Sequence, residues 1–228
     1  MEIAGTGGNC MLRHLAIILA LTLVAGCAGS IGPNYSGADA GWLVVSIRTT
    51  NKNELQNTFL DLRVRSIILD IRSKDGERST AVVYDLNGST ITPRDFDNED
   101  ENGAVFVRAV PAGDYEIYNF SIIAFRGFAG IAISSKTDFS IPFSIQAGKA
   151  SYVGSFKAYP ADEGSKSLIS QLFTYPDVGI YFVVTDESER DIPIARAKTA
   201  GTLAVTHAVP NVDQIGNMLL RSSVLTEP

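Results

Sequence analysis

The sequence predicts a mainly β fold: a single antiparallel β-sandwich with one or two short peripheral helices. Three observations carry this. Between residues 139 and 146, Phe139, Ile141, Phe143 and Ile145 alternate with small or polar residues, so one face is buried and the other wet. Similar runs recur along the chain, separated by Gly, Asn and Asp clusters at the intervals of a sandwich. No strand–helix–strand rhythm is visible, which argues against a parallel α/β sheet.

In chain order the expected strands cover 42–48, 60–72, 80–86, 105–110, 115–125, 139–146, 151–158, 179–185 and 203–208. Within 60–72 the apolar phase moves from Leu60, Leu62 and Val64 to Ile67, Leu69 and Ile71. That shift predicts a bulge, or a crossing between sheets, near Arg65 and Ser66. Pro142 occupies an outward position but brings no N–H, so 139–146 belongs at a sheet edge. The Ala147-Gly148-Lys149-Ala150 turn predicts a hairpin with 151–158, in which Tyr152, Gly154 and Phe156 share one phase. Residues 165–173 predict two helical turns with Leu168, Ile169, Leu172 and Phe173 as the buried stripe. A second short helix is expected to start near Asp191, with Pro193 in its first turn, because a proline deep inside a helix costs about 3 kcal/mol. Residues 212–224 read as a terminal helix carrying Ile215, Leu219 and Leu220, or as a loose tail.

The amino-terminal end has the parts of a secretory signal. Arg13 and His14 form a short basic start, and an apolar run from Leu15 to Leu23 follows. The run is shorter than the roughly 20 apolar residues a membrane span needs, so removal is expected. Met11, just before Leu12-Arg13-His14, is an alternative start. The run closes on Val24-Ala25-Gly26-Cys27, which resembles the lipobox of bacterial lipoprotein precursors. The resemblance implies a diacylglyceryl group on the Cys27 thiol, cleavage before it, and acylation of the new amino-terminus. Cysteine usage agrees. Cys10 lies upstream of the cut, so the mature chain keeps one thiol with no internal disulfide partner. Acyl burial contributes about 0.8 kcal/mol per methylene, and two or more chains anchor firmly. Ala28-Gly29-Ser30 follows Cys27 without an Asp. In lipoproteins of a Gram-negative host this implies the outer membrane, with the protein facing the periplasm. The expected organisation is a signal peptide over 1–26, a lipidated start and flexible tether over 27–41, the β-sandwich over 42–210, and a tail or short helix over 211–228.

Val110-Pro111-Ala112-Gly113-Asp114-Tyr115 supplies a strand-ending proline, a permissive glycine, and resumed alternation at Tyr115 and Ile117. It resembles the Pro-x-Gly-x-Tyr turn of prealbumin-like and carboxypeptidase-regulatory-like β-sandwiches, where the turn joins two strands. The stretch from Ile145 to Gly154, an apolar strand, an Ala-Gly-Lys turn and Tyr-x-Gly, is similar to strings in uncharacterised bacterial envelope lipoproteins. Neither resemblance supplies a catalytic residue.

The chemistry of the mature chain is sparse. A formal charge of −6 and the lack of a basic patch argue against nucleic acid as a partner. His207 stands alone near the carboxy-terminus, with no Gly-x-Ser-x-Gly elbow, thiol set or phosphate loop, so neither an enzyme nor a cofactor is expected. Asp95, Asp97, Glu99 and Glu101, with Asp100, Asn98 and Asn102 among them, are the calcium candidates. The EF-hand register fails, since counting from Asp97 puts Asn102 at position six and Arg108 at twelve. A solvated loop is the favoured reading. Asp186 and Glu189 have capping-box spacing and read as a solvated helix start. Tyr115, Tyr118, Phe120, Phe125 and Phe128 would line a groove or fill the core. The expected role is noncatalytic binding or scaffolding at the envelope, with the membrane reached through lipid and an envelope protein or glycan as partner. The alternative is a module for glycan or another small polar ligand, bound by sandwich-end loops such as 95–102.

Overall fold

The computed structural model describes residues 29–31, 35–50, 63–87, 93–161, 163–174, 179–199 and 203–223. Val24, Ala25, Gly26 and Cys27 lie outside the described residues, as do Leu60 and Leu62. Among the described residues two sheets and two α-helices form a mainly β sandwich, as the alternation predicts. The first sheet runs β1 (Gly29–Ser30), β4 (Arg78–Asp85), β3 (Arg63–Ser73), β7 (Gly113–Arg126). Two short strands, β8 (Ala129–Ser134) and β9 (Ile141–Ile145), share the far side of β7. The second sheet runs β13 (Leu220–Arg221), β11 (Ile180–Thr185), β10 (Ala150–Pro160), β2 (Ala40–Thr50), β6 (Glu101–Pro111), β5 (Phe96–Asp97). There β12 (Val205–His207) also pairs with β10. Helix α1 spans Glu163–Ser170 and α2 spans Ser188–Lys198.

The main core lies between the sheets. Leu43, Val45 and Ile47 of β2 and Phe156 of β10 meet Ile67, Leu69 and Ile71 of β3 and Ile117 and Phe120 of β7 in one cluster. Phe120 packs edge-on against Phe182 of the opposite sheet, ring centroids 4.7 Å apart. A smaller cluster covers the other face of the second sheet. There Val44, Val105 and Tyr152 pack under Ala195 of α2 and Leu203. The second sheet is therefore buried on both faces at its centre, which explains the nearly continuous burial of β2 and β10.

Several local expectations hold. The bulge is at Arg65, between Val64 and Ser66, and β3 stays within one sheet. Pro142 sits opposite Glu116 on β9, an edge strand paired only with β7, so its missing N–H breaks no ladder bond. The Pro111-Ala112-Gly113 turn passes the chain from the second sheet to the first. Tyr115 fastens it by donating its hydroxyl to the Pro111 carbonyl at 2.9 Å. Gly113 has φ +153°, which favours glycine.

Other expectations are corrected. The pairings are mostly antiparallel, but β10 runs parallel to β2, and β1, β12 and β13 also pair in parallel. Between β2 and β10 the chain builds β3, β4, β7, β8 and β9 of the first sheet. Strands β9 and β10 do not form a hairpin. The Gln146–Lys149 turn is an arch from the first sheet to the second, held on β2 by Gly148 N to Ala40 O (2.8 Å) and Trp42 N to Lys149 O (2.9 Å). Gly41 permits that approach, because a Cβ there would lie 2.4 Å from the Gln146 carbonyl oxygen. Gly154, at φ +105°, sits in a β10 bulge between Tyr152 and Ser155. The bulge flips the phase: Tyr152 points under α2, while Val153 and Phe156 enter the main core.

The helices are shifted too. In α1 Ile169 is buried, whereas Leu168 is exposed, so the stripe is narrower than expected. Helix α2 starts three residues early, and Pro193 falls in its second turn, where the Glu189 carbonyl loses its usual amide. Burial of Asp191, Ile192 and Ala195 holds the segment against the sheet despite that loss. Residues 212–221 are part of the sandwich, with a 3-10 turn at Val212–Ile215, strand β13, and Val212, Leu219 and Leu220 in the main core. Within the 27–41 span, Gly29 and Ser30 pair with β4 and Ile31 is buried.

Candidate functional site

Two of the charged residues singled out from the sequence, Glu101 and Asp191, lie in one network with Arg48, Lys157, Glu187 and Arg190 on the outer face of the second sheet, under α2. Asp191 is fully buried. It accepts from Ser46 Oγ at 2.5 Å and Tyr152 Oη at 2.8 Å, and pairs with Arg190 at 2.7 Å. Arg190 also donates to Glu101 at 2.6 Å, with its guanidinium carbon 3.9 Å from the centre of the Phe96 ring. Arg48 reaches Glu101 at 2.6 Å and Glu187 at 2.7 Å, and Lys157 lies 3.3 Å from Glu101. Burial pushes Tyr152 well above its ordinary value, and the Asp191 charge pushes the same way.

Burial alone would raise Glu101, but Arg48, then Lys157 and Arg190, outweigh it and hold its carboxyl below the ordinary 4.5. The unfolded chain then binds that proton more readily than the folded one. The resulting stability is present above the ordinary value and is lost as pH falls through the lower, folded value. Thermal melting followed from pH 7 down to pH 3 should show falling stability below about pH 5. Glu101→Gln should melt lower at pH 7 and lose less on acidification; an unchanged acid limb would contradict this assignment.

The calcium candidates do not converge. Asp95 accepts the Val105 amide at 2.7 Å and the Lys198 ammonium at 2.6 Å, Asp97 pairs with Arg94 at 2.5 Å, and Glu101 faces the cations above. Asn98 closes the turn by accepting the Asp100 and Glu101 amides. Among the described residues no group of three or more His, Cys, Asp or Glu is placed to hold a metal ion. Glu99 stands exposed beside this turn. The capping box is also revised: Glu187 is the N-cap residue without a side-chain cap bond, and Asp186 accepts from the Ser188 amide instead. His207 is half exposed, its Nδ1 3.8 Å from an Asp186 oxygen. Of the aromatics, Tyr115 and Phe120 are core, while Phe125 and Phe128 stand exposed at the turn into β8.

The open polar site lies elsewhere, on the first sheet. Along the free side of β4, the Ser79 carbonyl accepts the Ile31 amide at 2.7 Å, where β1 ends. Two residues on, the Ala81 carbonyl accepts from Arg108 Nη2 of β6 at 3.1 Å. A cavity of about 440 Å³ opens there, lined by Arg108, Asp70, Tyr118, Ser30, Ser79 and Thr80. Its volume falls in the range of small-molecule sites. Asp70 accepts from Ser121 Oγ at 3.1 Å. Burial pushes Asp70 up, partly offset by that bond. Burial alone pulls Arg108 down, and it pushes Tyr118 up. Arg72 lies 4.2 Å from the centre of the Tyr118 ring.

The sequence reading missed Arg108 and Asp70 as a pair. Each is a lone charge in an apolar run, Val105-Phe106-Val107-Arg108-Ala109-Val110 and Ile67-Ile68-Leu69-Asp70-Ile71. That isolation was the available signal.

The fold and cavity thus define a mainly β sandwich domain with a polar recess at a sheet edge. No protein-family description matches the sequence, and no curated protein matches it. Two solved structures show weak likeness. One is a leucine-rich repeat protein from Bacteroides thetaiotaomicron VPI-5482, with 8% identity and a TM-score of 0.32 over 53% of this chain and 14% of that one. The other is a candidate cell adhesion protein from Parabacteroides distasonis ATCC 8503, with 11% identity and a TM-score of 0.28 over 64% of this chain and 40% of that one. The chain therefore spans less than half of either, and likeness this low carries no functional argument. Among the described residues no helix is long and apolar enough to cross a membrane.

Proposed function

We propose that this chain is a noncatalytic binding or scaffolding protein of the cell envelope, anchored by lipid on Cys27 and presented to the periplasm from the outer membrane. The anchor rests on Val24-Ala25-Gly26-Cys27, on the unpaired thiol of the mature chain and on the apolar run before it. The observation that carries the binding role is the cavity: a half-buried arginine, Arg108, lines it, and among the described residues its guanidinium engages the Ala81 carbonyl and no carboxylate. A charge held that way is costly unless something else completes it. The ligand reading placed on the 95–102 loop moves here, since Asp95, Asp97 and Glu101 already have cations.

Feeding cells an alkyne palmitate analogue tests the anchor. The wild-type protein should take up label, and Cys27→Ser should take up none. Equal labelling of both would reject Cys27 as the lipid site.

A further inference from the structure

We infer that the cavity binds an acidic sugar, its carboxylate on Arg108 and its hydroxyls on Asp70 and the hydroxyl-lined wall. This rests on the binding role proposed above and names the ligand class for that site.

Arg108 presents a planar fork suited to a carboxylate, and among the described residues only the Ala81 carbonyl engages it. An anion entering the cavity would meet a partly desolvated cation, where pairing is stronger than in water. Asp70 selects against many anions. It is a second charge on the same cavity and accepts hydrogen bonds, so the ligand must also bring donors. A compact phosphate dianion would be repelled by Asp70 and offers few protons. The rest of the lining favours hydroxyls over an ammonium. Ser30, Ser79 and Thr80 offer three alcohols that can donate or accept, and no other side chain engages them among the described residues. Tyr118 adds an aromatic surface and a phenol. A cavity of about 440 Å³ admits one or two sugar rings.

The site also lies close to the proposed anchor. Ser30 lines it and is three residues from Cys27, at most about 10 Å of extended chain. An acidic sugar on a lipid of the same leaflet is therefore as accessible as a free saccharide, and the two sources share the recognised chemistry.

Calorimetric titration of the full-length protein in detergent micelles would test this with glucuronate, glucose, inorganic phosphate and glycine. Glucuronate should bind saturably and at least tenfold more tightly than the other three. Arg108→Gln should weaken it at least tenfold while leaving the melting temperature within a few degrees, and Arg108→Lys should recover part of the loss. Equal binding of glucose would overturn the acidic class while leaving a binding cavity in place. Equal or tighter binding of phosphate or glycine would overturn the sugar. No binding by any probe would overturn the inference, while palmitate labelling decides the anchor independently. Flotation with phosphatidylcholine vesicles, with and without glucuronosyl diacylglycerol, separates the sources. Recruitment by the glycolipid that Arg108→Gln abolishes supports the lipid-borne ligand, and glucuronate binding without recruitment supports the free one.

Discussion

Asp191→Ala should destabilise the protein by about 3–5 kcal/mol, the usual cost of removing one partner from a buried ion pair. Asp191 is fully buried and takes Ser46, Tyr152 and Arg190 at once. Truncation strands two buried hydroxyls and frees a guanidinium already shared with Glu101. It also unfastens α2, whose Pro193 weakens it from within. For a domain of this size the melting temperature should drop by about 6–20 °C. Asp186→Ala, at an exposed carboxylate five residues earlier, should stay within about 0.5 kcal/mol of wild type. Circular dichroism melts of both variants make the comparison. Similar small shifts would show that the buried network contributes little.

Phe120→Ala should cost a similar amount, about 3–5 kcal/mol, for a different reason. Phe120 has no exposed surface, and its ring meets Phe139, Phe173 and Phe182 at 6.3, 5.6 and 4.7 Å. Phe182 belongs to the opposite sheet, so truncation opens a void in the layer joining the two halves. Urea unfolding should show a lower midpoint with an unchanged slope, the mark of a stability change without a change in exposed surface. Phe128→Ala removes a ring that stands fully in solvent and should leave the midpoint unmoved. A small loss at Phe120 would mean that the sheets close over the gap.

What the sequence made legible depended on how local the cause was. The alternation of Phe139, Ile141, Phe143 and Ile145 showed one wet face and one dry face, and Pro142 marked an edge. Both follow from residues within a single strand. The phase slip near Arg65 was likewise visible as a bulge. The partner of β10 was not visible. Gly148 suits a tight hairpin and an inter-sheet arch equally, and the choice depended on Gly41, more than a hundred residues upstream. The phase of Tyr152 was misread because Gly154 flips it at positive φ, which alternation alone does not reveal. Helix α2 began early because Asp191 is drawn into the core by Ser46 and Tyr152, a tertiary pull that outweighs the proline.

The site followed the same rule. The carboxylates at 95–101 stood out because they are neighbours in sequence, yet folding separates them and gives Asp95, Asp97 and Glu101 cations. Arg108 and Asp70 line one cavity from strands of different sheets, β6 and β3, a juxtaposition that no spacing along the chain encodes.

The proposed envelope role depends first on the proposed lipid anchor at Cys27. Intact-mass spectrometry of the protein purified from cell membranes reads that directly. The account predicts a chain beginning at Cys27 and heavier than its amino acids by a diacylglyceryl group and an amide-linked acyl chain. A bare thiol at residue 27, or a chain still carrying its leader, would contradict it.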